Sequence, residues 1–285
     1  VVWLAETQDP LVHDREWQRS RMVFRLYCWL ERRIAAACTA FIFLTGPALE
    51  NARRRVGVPF PGVVIHPGAS PGLFTPPVAH VRGPHCRFAH FGTLAGSRNL
   101  LVFLRALSLL FDEQPELRQA VRVDLYGSLD QPSRQLMAEL GLADLVRDHG
   151  LIDRQEATQA MQRADCLLLI QNTTFFSTET IPSKVYEYLL SGRPILGLVH
   201  DNRELTAMLV ERGHRVAPAD DPQAVRVQLA ALLRAHAAGE PSGRAAAAGP
   251  VLLDDAVRTL VALARGAVAE TGGNGDGGGR HGTRR

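Results

Sequence analysis

The chain has one lysine. Lysine and arginine together number 32, so all the others are arginine, and the exception is Lys184. Basic and acidic side chains nearly balance, leaving a net charge of +3. That is too slight for a nucleic-acid partner, and no patch interleaves basic residues with stacking aromatics. The four cysteines, Cys28, Cys38, Cys86 and Cys166, lack CxxC spacing and sit mostly in apolar runs. They read as buried thiols in a reducing compartment, neither a disulfide framework nor a zinc site, and the expected localisation is cytoplasmic. No signal peptide is evident. The longest apolar run, Ile34 to Thr45, falls short of the roughly 20 residues that cross a bilayer. No GxGxxG follows the opening strand of either half, which speaks against a NAD-dependent oxidoreductase. No internal repeat is visible.

What is present is an ordinary globular composition, 46% hydrophobic and 21% charged over 285 residues, a length that suggests two domains. The chain opens on Val1 with a strand-like run and no initiator Met. We therefore expect a fragment lacking an N-terminal portion.

Val1 to Ala5 reads as a buried strand, and Arg15 to Cys38 as a helix with apolar residues at three- and four-residue steps and arginines between them. Such a helix packs on a sheet and snorkels its arginines; the alternative is contact with an anionic membrane surface. Strands at Ala40–Leu44 and Val63–Ile65 flank a helix from Pro47 to Val56. A passage dense in Pro, Gly and His up to Pro84 marks a linker. Strands then alternate with helices: Arg87–Phe91, Asn99–Phe111, Val121–Tyr126, Pro132–Leu140, a short strand near Val146, Arg154–Arg163 and Cys166–Ile170. The alternation continues through Ile195–Val199, Asn202–Glu211, Arg215–Val216 and Pro222–His236. It predicts a parallel sheet covered on both faces, with a ligand beyond the C-terminal strand ends. Glu240 to Pro250 reads as a loop, Leu253 to Val268 as an amphipathic helix, and Thr271 to Arg285 as a disordered Gly-rich tail.

Within this pattern one stretch is rich in chemistry: Ser177 to Gly192, STETIPSKVYEYLLSG. Pro182 suits the first turn of a helix and Gly192 its C-terminal stop. A loop leading into a helix start aims N–H groups at an anion, so phosphate is the expected occupant. Lys184 and Glu187 share a helix face. A carboxylate accepts two hydroxyl hydrogen bonds, which suits Glu187 to a sugar diol and Lys184 to a phosphate. The plainer alternative is a surface ion pair between them. A lone lysine in an arginine-rich chain favours the phosphate, because a compact, flexible charge was needed there.

The run Glu179-TIPSKVY-Glu187 resembles the two-glutamate motif of the GT-B glycosyltransferases, specifically the large retaining family 4 (group 1). Other segments agree in order: Phe43 to Glu50, Val64 to Gly68 with Leu73-Phe74, His90-Phe-Gly-Thr-Leu94 with Arg98-Asn99, His149 to Ile152, and Ala164-Asp165. The likeness runs from Val1 to about Val199. It implies an α/β GT-B architecture of two Rossmann-like domains, here with an incomplete first one. The expected division is 1–75 as the remnant acceptor-side domain, 76–86 as linker, 87–250 as the nucleotide-sugar domain, 251–268 as a C-terminal helix and 269–285 as tail.

Carried over residue by residue, the resemblance implies that Glu187 holds the ribose hydroxyls. Glu179 would meet the transferred sugar near its reacting carbon, and Arg98 and Lys184 would neutralise the diphosphate leaving group. Gly92, Thr93 and Ser183 would approach the donor, with the backbone at Ile152 bordering the base. It further implies transfer from a UDP- or GDP-sugar, with retention, to a sugar or lipid-linked acceptor in envelope polysaccharide or glycolipid assembly. No cofactor is expected. No DxD motif stands where a diphosphate would sit, so no metal is expected either. Two departures are visible: Asn99 and Leu100 follow Arg98 where many relatives place a second basic residue, and the first strand runs into Gln8-Asp9-Pro10 where many carry a histidine. Two other readings share the fold: a nucleotide-sugar 2-epimerase, and a fragment that binds a nucleotide sugar without transferring it.

Overall fold

The computed structural model describes residues 2–12, 20–239 and 249–273. The expected helix start around Arg15 and Trp17, most of the loop from Glu240, and the tail beyond Gly273 lie outside the described residues. The chain divides into two compact units, Val1–His66 with Leu253–Arg285, and Pro67–Leu252.

In the first unit the order is β1 (Leu4–Thr7), α1 (Arg21–Ala37), β2 (Ala40–Phe43), α2 (Gly46–Val56) and β3 (Gly62–Val64). Among the described residues the strands form a parallel sheet in the order β1-β2-β3, with Leu4 opposite Ala40 and Phe41 opposite Gly62. Local chemistry sets the helix ends. The Thr45 hydroxyl accepts from Ala48 N at 3.2 Å and opens α2, and Gly57, at φ 77°, closes it in the left-handed region. Phe41, Phe43, Leu49, Ala52 and Val56 form the core on one face.

The helix α1 meets that core only through its C-terminal half, at Ile34, Ala35 and the following Cys38. Its buried Glu31 receives a two-point bond from Arg55, both contacts at 2.8 Å. Earlier turns leave Met22, Leu26, Trp29 and Leu30 exposed, on the side away from Glu31 and Ala35. The expected packing on the sheet therefore holds for half of the helix.

The second unit runs β4 (Cys86–Phe91), α3 (Leu101–Glu113), β5 (Val121–Tyr126), α4 (Gln131–Glu139), β6 (Val146–Gly150), α5 (Arg154–Arg163), β7 (Cys166–Ile170), α6 (Lys184–Leu190), β8 (Ile195–Val199), α7 (Arg203–Val210), β9 (Arg215–Pro218) and α8 (Pro222–Ala237). Among the described residues its strands are parallel in the order β6-β5-β4-β7-β8-β9. Successive side chains on β7 enter opposite cores: Cys166, Leu168 and Ile170 meet α3 and α8, whereas Leu167 and Leu169 meet α6 and α7. Burial on both faces explains the continuous apolar runs of these strands. The last helix, α9 (Leu253–Gly273), brings Ala256, Leu260 and Leu263 to Ile42, Ile65 and Val63 of the first unit.

The predicted start of α6 needs correction. Pro182 lies just before the helix, its carbonyl accepting from Val185 N at 2.9 Å, and Ser183 is the cap residue, without a side-chain cap bond. The helix is thus seven residues long and ends where Gly192 takes φ 69°.

Candidate functional site

In the second unit the strand order reverses direction at β4, which lies between β5 and β7. An open parallel sheet forms its ligand crevice beyond the C-terminal strand ends at such a point. Three glycines turn the chain there, each with positive φ: Gly92 after β4, Gly127 after β5 and Gly150 at the end of β6. They are linked by backbone bonds, Gly92 N to Tyr126 O and Gly127 N to Gly150 O, both 2.7 Å. A Cβ on Gly127 would fall 2.2 Å from the Gly92 carbonyl oxygen, so no other residue fits that crossing.

Two adjoining hollows open above these turns. The larger, about 300 Å³, is lined by Tyr126, Ile152, Asp153, Arg154 and Glu187 among others. The smaller, about 100 Å³, is lined by His90, Arg98, Ile170, Pro182, Ser183 and Tyr188 among others. Phe91, Gly92, Thr93 and Lys184 line both. The structure thus brings seven of the eight sequence-nominated residues together. Gly92, Thr93 and Lys184 stand at the junction, Glu187 and Ile152 on one side, Arg98 and Ser183 on the other.

Glu179 is the exception. It lines neither hollow and is only 3% exposed, its backbone N bonded to Phe176 O at 3.0 Å. Two buried amides brace its loop. Gln171 Nε2 donates to Ser177 O (2.7 Å) and Thr180 O (3.0 Å), and Asn202 Nδ2 donates to Thr180 O at 2.9 Å. Asn202 also caps α7 through Leu205 N at 2.8 Å.

Glu187 and Lys184 do not pair with each other. Glu187 Oε1 takes Arg154 Nη2 at 3.2 Å. Lys184 reaches the other way, its Cε and Nζ packed over Gly92, and among the described residues it has no hydrogen bond or ion pair. An ammonium so placed is available to an anion at the junction. Arg98 follows a small turn, its N bonded to Ala95 O at 3.1 Å, and its buried Nε has no partner among the described residues.

Aromatic groups wall the larger hollow. Phe91 stacks on Tyr126 at 4.6 Å between ring centroids, and Tyr126 on His149 at 4.3 Å. His149 Nε2 is fixed by Asp124 Oδ1 at 2.7 Å. Burial, with Asp124 nearby, pushes the Tyr126 phenol up to about 12. Fully buried Tyr188 accepts from Phe91 N at 3.1 Å and ties α6 to the end of β4.

His90, Tyr126 and Arg154 also line these hollows and are not among the residues that the sequence nominates. A histidine between Ala89 and Phe91, near the end of a largely apolar strand, is a visible signal for the first. An arginine in the first turn of α5, where the helix dipole disfavours a cation, was one for the third.

No protein-family model matches the chain. Similarity does extend to D-inositol 3-phosphate glycosyltransferases of two Streptomyces species. The Streptomyces coelicolor protein is 27% identical over 194 residues, covering 58% of this chain and 41% of that protein. The Streptomyces scabiei protein is 29% identical over 182 residues, covering 58% and 40%. The chain thus spans less than half the length of these curated relatives. Among solved structures, Anabaena Alr3699/HepE in complex with UDP matches with a TM-score of 0.66 at 14% identity, covering 93% of this chain and 72% of that one. Sucrose-phosphate synthase from Thermosynechococcus elongatus matches with a TM-score of 0.64 at 16% identity, covering 94% and 68%. The fold is that of the GT-B glycosyltransferases.

Proposed function

We propose that the second unit binds a nucleotide-sugar donor and that the chain belongs to an enzyme transferring its sugar, with retention, to a hydroxyl acceptor. One observation carries the reading. Lys184, an ammonium unpaired among the described residues, stands at the junction of two hollows, with Arg98 lining one and Glu187 lining the other. Cleaving a glycosyl–phosphate bond builds negative charge on the departing diphosphate, and preorganised cations are the strongest lever on that step. Lys184 and Arg98 supply them. Glu187 accepts the ribose hydroxyls, Ile152 and the Phe91–Tyr126–His149 stack border the base, and Gly92 and Thr93 let the chain approach the phosphates. Ser183 sits beside the same phosphates. Glu179, buried in its braced loop, meets the transferred sugar once donor binding rearranges that loop.

The donor class is a UDP- or GDP-sugar. The Anabaena protein is described in complex with UDP and with UDP-glucose, and a pneumococcal O-GlcNAc transferase in complex with UDP and GlcNAc; we extend nucleotide-sugar binding from them to this chain. We assign the acceptor to sugars or lipid-linked sugars of envelope polysaccharide or glycolipid, the reaction to the cytoplasm, and catalysis to the two cations without a metal. No described helix is long and apolar enough to cross a membrane. Peripheral contact through the exposed face of α1 is the companion proposal.

The test is isothermal titration with UDP, GDP and their glucose conjugates, followed by NMR of donor incubated with an acceptor panel. Binding with transfer and a retained anomeric configuration supports the reading. Conversion of the donor without acceptor assigns the chain to the epimerases, and binding without turnover makes it a nucleotide-sugar-binding piece of a larger enzyme. Failure of every nucleotide to bind overturns the proposal.

A further inference from the structure

Among the described residues, the smaller hollow contains two buried polar atoms without partners, Arg98 Nε and His90 Nε2. His90 is 4% exposed. Its Nδ1 lies 2.9 Å from the carbonyl oxygen of Leu168, which can only accept, so Nδ1 carries the proton. The neutral ring therefore presents a bare Nε2. An orphaned buried acceptor costs folding free energy that an apolar residue in its place would not. The strand end nevertheless holds a histidine.

The charges around the ring share one sign. Arg98, from the loop after β4, and Lys184, from α6, both disfavour the imidazolium, and the hollow's described lining includes no carboxylate. Tyr188, also in the lining, has its phenol pushed up by burial and stays neutral. Without an anion, burial and the two cations hold His90 down at about 4. A diphosphate in the hollow reverses that field, its charge offsetting both cations. The neutral ring would repel phosphate oxygens through its Nε2 lone pair, whereas the protonated ring keeps Nδ1–H on Leu168 and offers a second N–H to the ligand.

We infer that His90 is a phosphate-binding residue acting as the imidazolium: the arriving diphosphate draws one proton from solvent onto Nε2, so donor binding and proton uptake are linked. No covalent bond changes; the proton comes from buffer on binding and returns when the diphosphate leaves. This rests on the nucleotide-sugar reading above and adds a residue and a pH dependence to it.

UDP-glucose and GDP-glucose are suitable probes, because their doubly esterified diphosphate has no proton to exchange near neutral pH. Titration calorimetry of the full chain in buffers of contrasting ionisation heat, from about pH 6 to about pH 8, counts the protons. The expected result is uptake approaching one proton per ligand at the acid end. Affinity should fall as pH rises, by as much as about tenfold per pH unit while the liganded ring stays protonated, and level off above the pKa of the liganded ring. His90→Gln, which offers a permanent N–H, should bind with a flat pH profile and no uptake. His90→Phe should lose about tenfold or more in affinity along with the uptake. Wild-type binding without proton uptake overturns the inference and leaves the nucleotide-sugar reading intact, as does uptake that persists in His90→Gln. Failure of both probes to bind overturns both. The wild-type measurement decides even if neither variant folds.

Discussion

Lys184 and Gly92 come from different elements yet occupy almost the same place: a Cβ on Gly92 would lie 2.9 Å from both Cε and Nζ of the lysine. Gly92 also holds φ 122°, a conformation that side chains rarely adopt. Gly92→Ala should therefore displace the ammonium as well as strain the turn. We expect at least a tenfold loss of nucleoside-diphosphate affinity by calorimetry, with a stability loss of about 1–3 kcal/mol by denaturant titration. Unchanged affinity in a folded variant would separate Lys184 from the ligand.

Arg154 and Glu187 make a second pair, and their exposure limits its value to the fold. Arg154 is 73% exposed, and exposed ion pairs contribute about 0–1 kcal/mol. Arg154→Ala should leave the unliganded melting temperature within error while altering nucleotide affinity less than tenfold. A large drop in the unliganded melting temperature would mean the pair serves folding.

Away from the site, Asp165 ties down the passage that leads into β4. It is 4% exposed and accepts from Arg87 N at 2.9 Å, with His80 Nε2 at 2.7 Å on its other oxygen. Removing one partner from such a buried polar cluster leaves the others unsatisfied. Asp165→Ala should cost about 2–4 kcal/mol in urea unfolding, with nucleotide affinity of the folded fraction unchanged. A loss below about 0.5 kcal/mol would show that water replaces the carboxylate.

Acid should weaken the unliganded fold through its histidines. Burial holds both His90 and His214 at about 4, against an ordinary 6.5. Between those values the unfolded chain binds more protons than the folded one, so stability is fully present above about 6.5 and falls as pH drops toward about 4. For His90 the loss is on the order of 3 kcal/mol. Urea midpoints measured across that window should fall with pH, and less steeply in His90→Phe. A midpoint independent of pH would contradict the burial of both rings.

On the proposed assignment of the diphosphate charge to Arg98 and Lys184, excess EDTA should leave sugar transfer undiminished. Complete loss, restored by a divalent cation, would assign that charge neutralisation to a metal instead.

Where the fold was legible in the sequence, short-range signals did the work. The helix Arg154–Arg163 follows its Asp153 cap, whose Oδ1 accepts from Glu156 N at 2.7 Å, and the strands Cys166–Ile170 and Ile195–Val199 are bounded apolar runs. What escaped was set by distant parts of the chain. Sequence spacing pairs Glu187 with Lys184, three residues away, but the fold brings Arg154 from the start of α5 and sends Lys184 to the end of β4. Likewise the periodicity of α1 shows apolar residues on more than one side, and cannot tell which side meets the sheet. The orphaned Nε2 of His90 depends on a carbonyl of the neighbouring strand, which no local pattern reveals.

The central claim is that one diphosphate spans the two hollows, held by Lys184 at their junction and tethered through its ribose to Glu187. A thermal-shift series with UDP and GDP on the wild type, Lys184→Ala and Glu187→Ala tests it most directly. The account predicts that one nucleotide raises the wild-type melting temperature by mass action, that the rise disappears in both variants, and that the three unliganded proteins melt together. A rise that survives in both variants, or no rise with either nucleotide, would contradict it.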